Sequence, residues 1–179
     1  MRTKATRFVV YAALFTALAV VFKCFLSFPI TFLGSFVKDT NLSPVIIMAS
    51  GIALGPLGGG IVGALTDIIG ILIRPMGAYF PLFTVVNALF GIIPALFFIK
   101  KKQNGINLTL LKSFLIALLV QVVCTGLNTV ILVSFGFISP AYIPVRLIGG
   151  AILWPIFSVL LYLVVRYARP VFQFDRQLA

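Results

Sequence analysis

The sequence contains six long apolar segments, and most of the charges lie outside them, between the segments and at the two ends of the chain. Backbone polar groups that face lipid have to be hydrogen-bonded internally, which leaves helices as the plausible spanning elements. The segments lie at about 8–26, 43–54, 57–73, 83–99, 110–135 and 144–165. Gly55-Pro56 separates the second segment from the third, and both are short for a span of about 20 residues.

The composition indicates that lipid is the solvent of this chain. Apolar residues make up 61% of the 179 positions and charged residues only 9%, whereas a water-soluble domain has about 25% charged residues. Such a chain cannot cover itself with a polar surface. The sequence therefore predicts one all-α integral membrane domain, residues 1–179, with six transmembrane helices.

The positive charges predict how these helices are oriented. With the N-terminus inside, ten of the 14 Lys and Arg residues lie on the inner side and four on the outer side. Cytoplasmic loops accumulate Lys and Arg, so both termini are expected in the cytoplasm. This accumulation of Lys and Arg accounts for the net charge of +11, so we do not expect nucleic-acid binding. The outer cations are Lys23, Lys38, Arg74 and Arg146.

No residue set typical of an enzyme occurs in the chain. It has no Glu and no His, and its three aspartates are scattered at Asp39, Asp67 and Asp175. Paired carboxylates, a Ser/His/Asp set, a phosphate-binding loop and metal-ligand spacings are all missing. Cys24 and Cys124 fall in apolar segments, which favours packing over a disulfide. We expect no catalysis, metal or cofactor in this chain, and any use of ATP must belong to a partner.

Asp67 is the most informative single residue, because a carboxylate within a membrane span is costly and usually functional. It continues a helical stripe of glycines and lies about two turns before Arg74, which is about 10 Å further along the axis. Glycines permit close approach of another helix, so this face is expected to point into the bundle. Contact with a ligand and a structural hydrogen bond to a neighbouring helix both remain open for Asp67.

A second polar stripe lies on the fifth segment, where Gln121, Thr125 and Asn128 are spaced i, i+4 and i+7. Arg146 begins the sixth segment at the outer side. Hydrogen bonding between helices would explain the stripe without a ligand. For Arg146 a functional role is favoured, because it lies at the outer mouth of the bundle.

The outer loops 27–42, 74–82 and 136–143 contain aromatic rings, and the first two also contain cations and Gly or Pro. An interfacial aromatic belt is one explanation. A binding pocket closed by these loops is the other. Its cations, aromatic faces and amides suit a planar, hydrogen-bonding heterocycle joined to an acidic tail. The candidate loop residues are Phe36, Lys38, Tyr79, Phe80 and Tyr142.

The first segment carries the pair Ala13-x-x-x-Ala17. Small residues in register let another helix approach closely, either within the bundle or from a partner protein.

These motifs together resemble a known family, the folate-type substrate-binding (S) components of energy-coupling factor (ECF) vitamin transporters. The specific part runs from Gly55-Pro-Leu-Gly-Gly-Gly through Ala64-Leu-Thr-Asp67 to Tyr79-Phe-Pro-Leu-Phe-Thr84. The alanine pair matches the docking motif of such components, and Tyr142 with Arg146-Leu147 also fits. The chain departs from the folate-type pattern at Leu82, where glycine is usual, and in residues 36–42.

The resemblance implies a bacterial cell-membrane protein that takes up folate from the outer face. Loops 27–42 and 74–82 would gate the pocket, and the first helix would dock on a transmembrane coupling protein that carries two ATPase subunits. Asp67 and Asn128 would hold the pterin edge, and Tyr79, Phe80 or Phe36 would stack on it. Lys38, Arg74 or Arg146 would meet the glutamate carboxylates. The alternatives are another vitamin (pantothenate or a pyrimidine precursor) on the same architecture, or a stand-alone permease or channel.

Overall fold

Apolar helices form the body of the protein, as the hydropathy pattern predicts. The computed structural model describes residues 2–32, 35–75, 79–98 and 109–167, and for residues 2–4 and 28–40 it describes the backbone alone. Among these residues, four helices are long and apolar enough to cross a membrane, and α3 is a shorter apolar helix. The elements are α1 (Arg2–Phe25), β1 (Ser27–Phe32), β2 (Ser35–Asn41), α2 (Ser43–Ile73), α3 (Pro81–Leu96), α4 (Leu110–Ser134), a 3₁₀ turn (Pro140–Tyr142) and α5 (Ile143–Tyr167).

Helix α2 is broken at Gly55, where φ is 84° and ψ is −180°. An ideal Cβ on Gly59 would lie 2.5 Å from the Cα of Gly51, although eight residues of straight helix span about 12 Å. The two halves, 43–54 and 56–73, therefore fold back on each other. The sequence predicts this break at Gly55-Pro56, because glycine alone adopts such a conformation readily and proline cannot continue the preceding helix.

The first outer loop contains a β-hairpin, which corrects the all-α expectation for this part of the chain. Strands β1 and β2 pair antiparallel, with Ser27 opposite Asn41 and an irregularity after Ile30. The sequence predicts residues 27–42 as an outer loop that gates a pocket. Aromatic and β-branched residues favour strands, and pairing satisfies the backbone of a segment that leaves the helical bundle.

The first half of α2 forms the centre of the bundle. Every residue from Val45 to Ala53 is buried, since α1, α3 and α5 all contact α2. A helix that is apolar on all sides is expected in such a position. The buried hydroxyl of Ser50 donates to the carbonyl of Ile47 in its own helix, so it needs no partner elsewhere.

One end of the bundle gathers the hairpin and the polar residues that the sequence singles out. We call it the hairpin end. It comprises the last turn of α1, the last turns of α2 and α4, and the first turns of α3 and α5. Strand β1 lies beside α1 and β2 beside α5, so the hairpin connects these two helices at this end.

Candidate functional site

Asp67 is almost fully buried, with 3% of its surface exposed, and both of its carboxylate oxygens have donors. Lys23 Nζ lies 2.6 Å from Oδ1, and Asn87 Nδ2 donates to the same oxygen over 2.8 Å. The hydroxyl of Thr84 donates to Oδ2 over 2.7 Å. A lysine therefore neutralises the only acid in a described helix, and α1, α2 and α3 meet at one carboxylate.

Tyr79 extends this network to the segment before α3. Its hydroxyl lies 3.0 Å from that of Thr84. A threonine hydroxyl has a single proton, and Thr84 gives it to the carboxylate of Asp67. Tyr79 must then be the donor, so the hydrogen bonds run in one direction, from Tyr79 to Thr84 to Asp67. The tyrosine ring is 48% exposed, which leaves one of its sides available.

Arg74 also has partners within the protein. Its Nη1 donates to the carbonyl of Cys24 over 3.3 Å and to the hydroxyl of Ser27. Arg74 shares its end of α2 with Asp67, as predicted, but it bonds to the junction of α1 and β1.

A buried polar face connects α4 with α5. The Nε of Arg146, a residue only 3% exposed, donates to the hydroxyl of Thr129 over 3.2 Å. One turn further along α5 and two turns back along α4, the amide of Gln121 packs against Gly150, where an added Cβ would lie 3.2 Å from Nε2. Gln121 and Thr125 of the predicted stripe on α4 therefore face α5, and Thr129 joins them on the same face.

Asn128 lies beside this face, and its Oδ1 is a buried acceptor without a hydrogen-bond partner in the described part of the chain. Buried acceptors of this kind are rare, and each calls for an explanation such as a ligand. The atom is available to a donor that enters between the helices.

Aromatic rings cover the hairpin end between α3 and α4. The ring of Phe80 contacts Phe135 at a centroid distance of 4.6 Å, and Phe83 and Phe137 at 5.7 Å each. Tyr142 is half-buried in the 3₁₀ turn before α5. The structure thus brings Phe80 to an aromatic cluster that the sequence does not predict, because Phe135 and Phe137 follow α4 in a separate loop.

Phe36 and Lys38 lie on β2, opposite Thr31 and Ile30. Their side chains lie outside what the structure describes, so their predicted roles remain predictions. Their strand lies beside α5, the helix that carries Arg146.

Ala13 and Ala17 lie on the exposed side of α1, whereas Ala12, Thr16 and Ala19 face the bundle. The pair is therefore not used for packing within the described bundle.

Sequence reasoning missed the pairing of Lys23 with Asp67. Lys23 was counted only as an outer cation. A cation near the end of one apolar segment and a lone acid near the end of another are the signal that could have found it, since charges in lipid seek partners.

Three comparisons with known proteins agree with this architecture. The family model described as "ECF-type riboflavin transporter, S component" matches residues 3–167. The folate transporter FolT of Clostridium novyi (strain NT) is 35% identical over 162 residues, which cover 89% of this chain and 88% of that protein.

Two solved structures resemble the fold. A crystal structure of FolT bound with folic acid matches with a TM-score of 0.73 at 26% identity, covering 88% of this chain and 93% of that one. The S component of a bacterial ECF transporter matches with a TM-score of 0.68 at 22% identity, covering 92% and 96%, and this second likeness concerns the fold alone.

Proposed function

We propose that this chain, which belongs to the family of S components of ECF-type riboflavin transporters, binds folate at the hairpin end and delivers it for import across a bacterial cell membrane. The observation that carries the choice of folate is the 35% identity with a folate transporter over nearly the full length of both chains. The structural likeness to FolT with folic acid supports the same choice.

The polar face between α4 and α5 supports a ligand that combines hydrogen-bond donors with negative charge. The buried Oδ1 of Asn128 needs a donor, and the edge of a pterin offers N–H groups. The guanidinium of Arg146 suits a carboxylate, which it can bind with two parallel hydrogen bonds. Folate has groups of both kinds.

Riboflavin is the second candidate, because the matching family model bears its name. Its ring system is also planar and hydrogen-bonding, but its ribityl tail has no charge. Arg74, Arg146 and Lys38 place positive charge at the hairpin end, and this charge attracts an anionic tail more strongly than an uncharged one. The charge therefore favours folate.

The candidate contacts differ in how free they are to meet a ligand. Tyr79, Phe80 and Tyr142 have rings at the hairpin end that can stack on a heterocycle, and Phe36 and Lys38 are proposed to join them from β2. Asp67 and Arg74 were proposed as contacts on sequence grounds. Both already bond to neighbouring protein groups, so a ligand would have to displace those partners.

We propose six membrane-crossing segments, counting the two halves of α2 separately, with the hairpin end outside and both termini in the cytoplasm. A transmembrane coupling protein would receive α1 at the exposed pair Ala13 and Ala17. ATP would be used by two ATPase subunits bound to that protein. Gating by loops 27–42 and 74–82 stays a prediction.

Calorimetric titration of the purified protein with folate tests the substrate, with riboflavin, pantothenate, a pyrimidine precursor and thiamine as comparisons. Tight one-to-one binding of folate alone is expected. Preferential binding of riboflavin would move the assignment to the second candidate, and binding of another compound would exclude both. Uptake into vesicles that lack ATPase partners would instead indicate a stand-alone permease.

A further inference from the structure

The Asp67 carboxylate is the point at which three helices are joined at the hairpin end. Lys23 comes from the last turn of α1, whereas Thr84 and Asn87 come from the first two turns of α3. An ionised carboxylate only accepts hydrogen bonds, and all three donors point at it. Its hydrogen-bonding capacity is largely used by the protein itself.

Close backbone contact makes this convergence possible. A Cβ on Gly63 would overlap the carbonyl oxygen of Asn87, so α3 can approach α2 only because residue 63 has no side chain. One turn after Asp67, the stem of Lys23 crosses Gly70, where an added Cβ would lie 2.7 Å from the lysine Cδ. The two glycines thus admit Asn87 from one side and Lys23 from the other.

A second connection joins the same parts of the chain. Arg74 bonds to Cys24 and Ser27, within four residues of Lys23. The end of α2 and the start of α3 are therefore both held to the last turn of α1 and its junction with β1. Tyr79 is tied to this assembly through Thr84.

We propose that Asp67 is a positioning residue for vitamin binding. It fixes the first turns of α3, and through Thr84 the ring of Tyr79, against the end of α1, and it does not touch the vitamin. The vitamin part of this statement rests on the proposed function. Removal of any member of the network should displace Tyr79 and the start of α3, whichever member is changed.

Five variants test the proposal by titration with folate and with a folate analogue that has a methyl group in place of the 2-amino group. They are Lys23→Met, Asp67→Asn, the double variant, Thr84→Val and, as a control, Thr66→Val. The Thr66 hydroxyl is buried next to Asp67 but donates only to Val62 in its own helix.

Lys23→Met and Asp67→Asn should each weaken folate binding at least tenfold, and the double variant should be no more than threefold weaker than the worse single one. Thr84→Val leaves no unpaired charge and should weaken binding at least threefold, while the control changes it less than twofold. The ratio of the two ligands' affinities should stay that of the unmodified protein. The proposal would be overturned if Lys23→Met bound folate as the unmodified protein does while Asp67→Asn no longer distinguished folate from the analogue. Asp67 would then be a direct contact of the vitamin.

Hydrogen–deuterium exchange of the ligand-free proteins separates this proposal from the choice of vitamin. Peptides covering residues 79–90 should exchange faster in Lys23→Met, Asp67→Asn and Thr84→Val than in the unmodified protein and the control. Equal exchange in all of them would overturn the positioning role even if folate binds. Faster exchange in a protein that binds no folate would keep the positioning role and exclude the proposed vitamin.

Discussion

The backbone of Gly63 lies directly against the backbone of Asn87, so closely that a Cβ on Gly63 would overlap the Asn87 carbonyl oxygen. This contact sets the distance between α2 and α3, and with it the reach of the Asn87 amide to Asp67. A methyl group at this place meets backbone atoms, which cannot rotate away as a side chain can.

Gly63→Ala should therefore lower the free energy of unfolding by about 1–3 kcal/mol, the usual cost of forcing an extra carbon into a packed interior. Thermal unfolding in detergent measures the loss. Gly126→Ala in α4 is the matched control, because an added Cβ there meets nothing within 4 Å. The control should be neutral or slightly stabilised, and equal loss in both variants would show that the contact does not govern stability.

Removing one partner of the partly buried Lys23–Asp67 ion pair should cost more stability than removing both. Lys23→Met leaves Asp67, whose side chain is 4% exposed, as an unpaired charge. Such a loss typically costs about 3–5 kcal/mol, whereas replacement of both partners is often nearly neutral. The double variant Lys23→Met with Asp67→Asn should thus unfold closer to the unmodified protein than Lys23→Met does. A double variant less stable than the single one would contradict this account.

The break in α2 gives a prediction about backbone conformation alone. Gly55 has a φ of 84° and ψ of −180°, and an added Cβ would meet nothing within 4 Å. Gly55→Ala should still lower the free energy of unfolding by about 1–3 kcal/mol, because non-glycine residues rarely adopt this conformation. The loss should appear as a lower melting temperature. Gly126→Ala again serves as the control. An unchanged melting temperature would mean that the turn relaxes without cost.

Much of the fold follows from the sequence, and the Gly55 break shows why. Long apolar segments can only be helices in lipid, and Gly-Pro within such a segment interrupts it whatever surrounds it. Both signals are local. The hairpin of β1 and β2 was missed because its aromatic-rich segment has the composition of a membrane-interface loop as well as that of a strand.

The site was predictable only in part. Asp67, Asn128 and Arg146 stand out because polar groups are rare within apolar segments. Their partners do not stand out. Which groups meet depends on the relative depth and rotation of helices far apart in sequence, as with Lys23 and Asp67, 44 residues apart. Thr129 was missed because a threonine in an apolar helix usually bonds to its own backbone, and this one also accepts from Arg146.

Arg146→Ala should weaken folate binding by about 1.5–3 kcal/mol, the value of a hydrogen bond to a charged group, which is roughly 10- to 150-fold in the dissociation constant. Titration with folate measures the dissociation constants of Arg146→Ala and of the control variant Arg166→Ala. Arg166 is near the other end of α5 and donates to Tyr162, so its removal should leave binding unchanged. Equal affinities of both variants would take Arg146 out of the site.

The exposed alanine pair predicts a loss of transport without a loss of binding. Ala13→Trp or Ala17→Trp places a large ring where a coupling protein is proposed to contact α1, so uptake by cells should cease while purified protein still binds folate. Leu18→Trp is the control, because Leu18 is also exposed but lies on another side of α1. Uptake that persists in both alanine variants would exclude docking at this pair.

The fold-back of α2 also has a consequence for the surrounding lipid. Its second half and α3, of 18 and 16 residues, are about 27 and 24 Å long, against about 36 Å for the 24 residues of α1. The second half of α2 and α3 are thus shorter than the hydrocarbon core of about 30 Å, and α1 is longer. Such a hydrophobic mismatch thins the bilayer around the short helices and favours tilting of the long one, at fractions of a kcal/mol per Å. By dividing one long apolar segment into two short helices, the break at Gly55 makes the fold sensitive to the local thickness of its membrane.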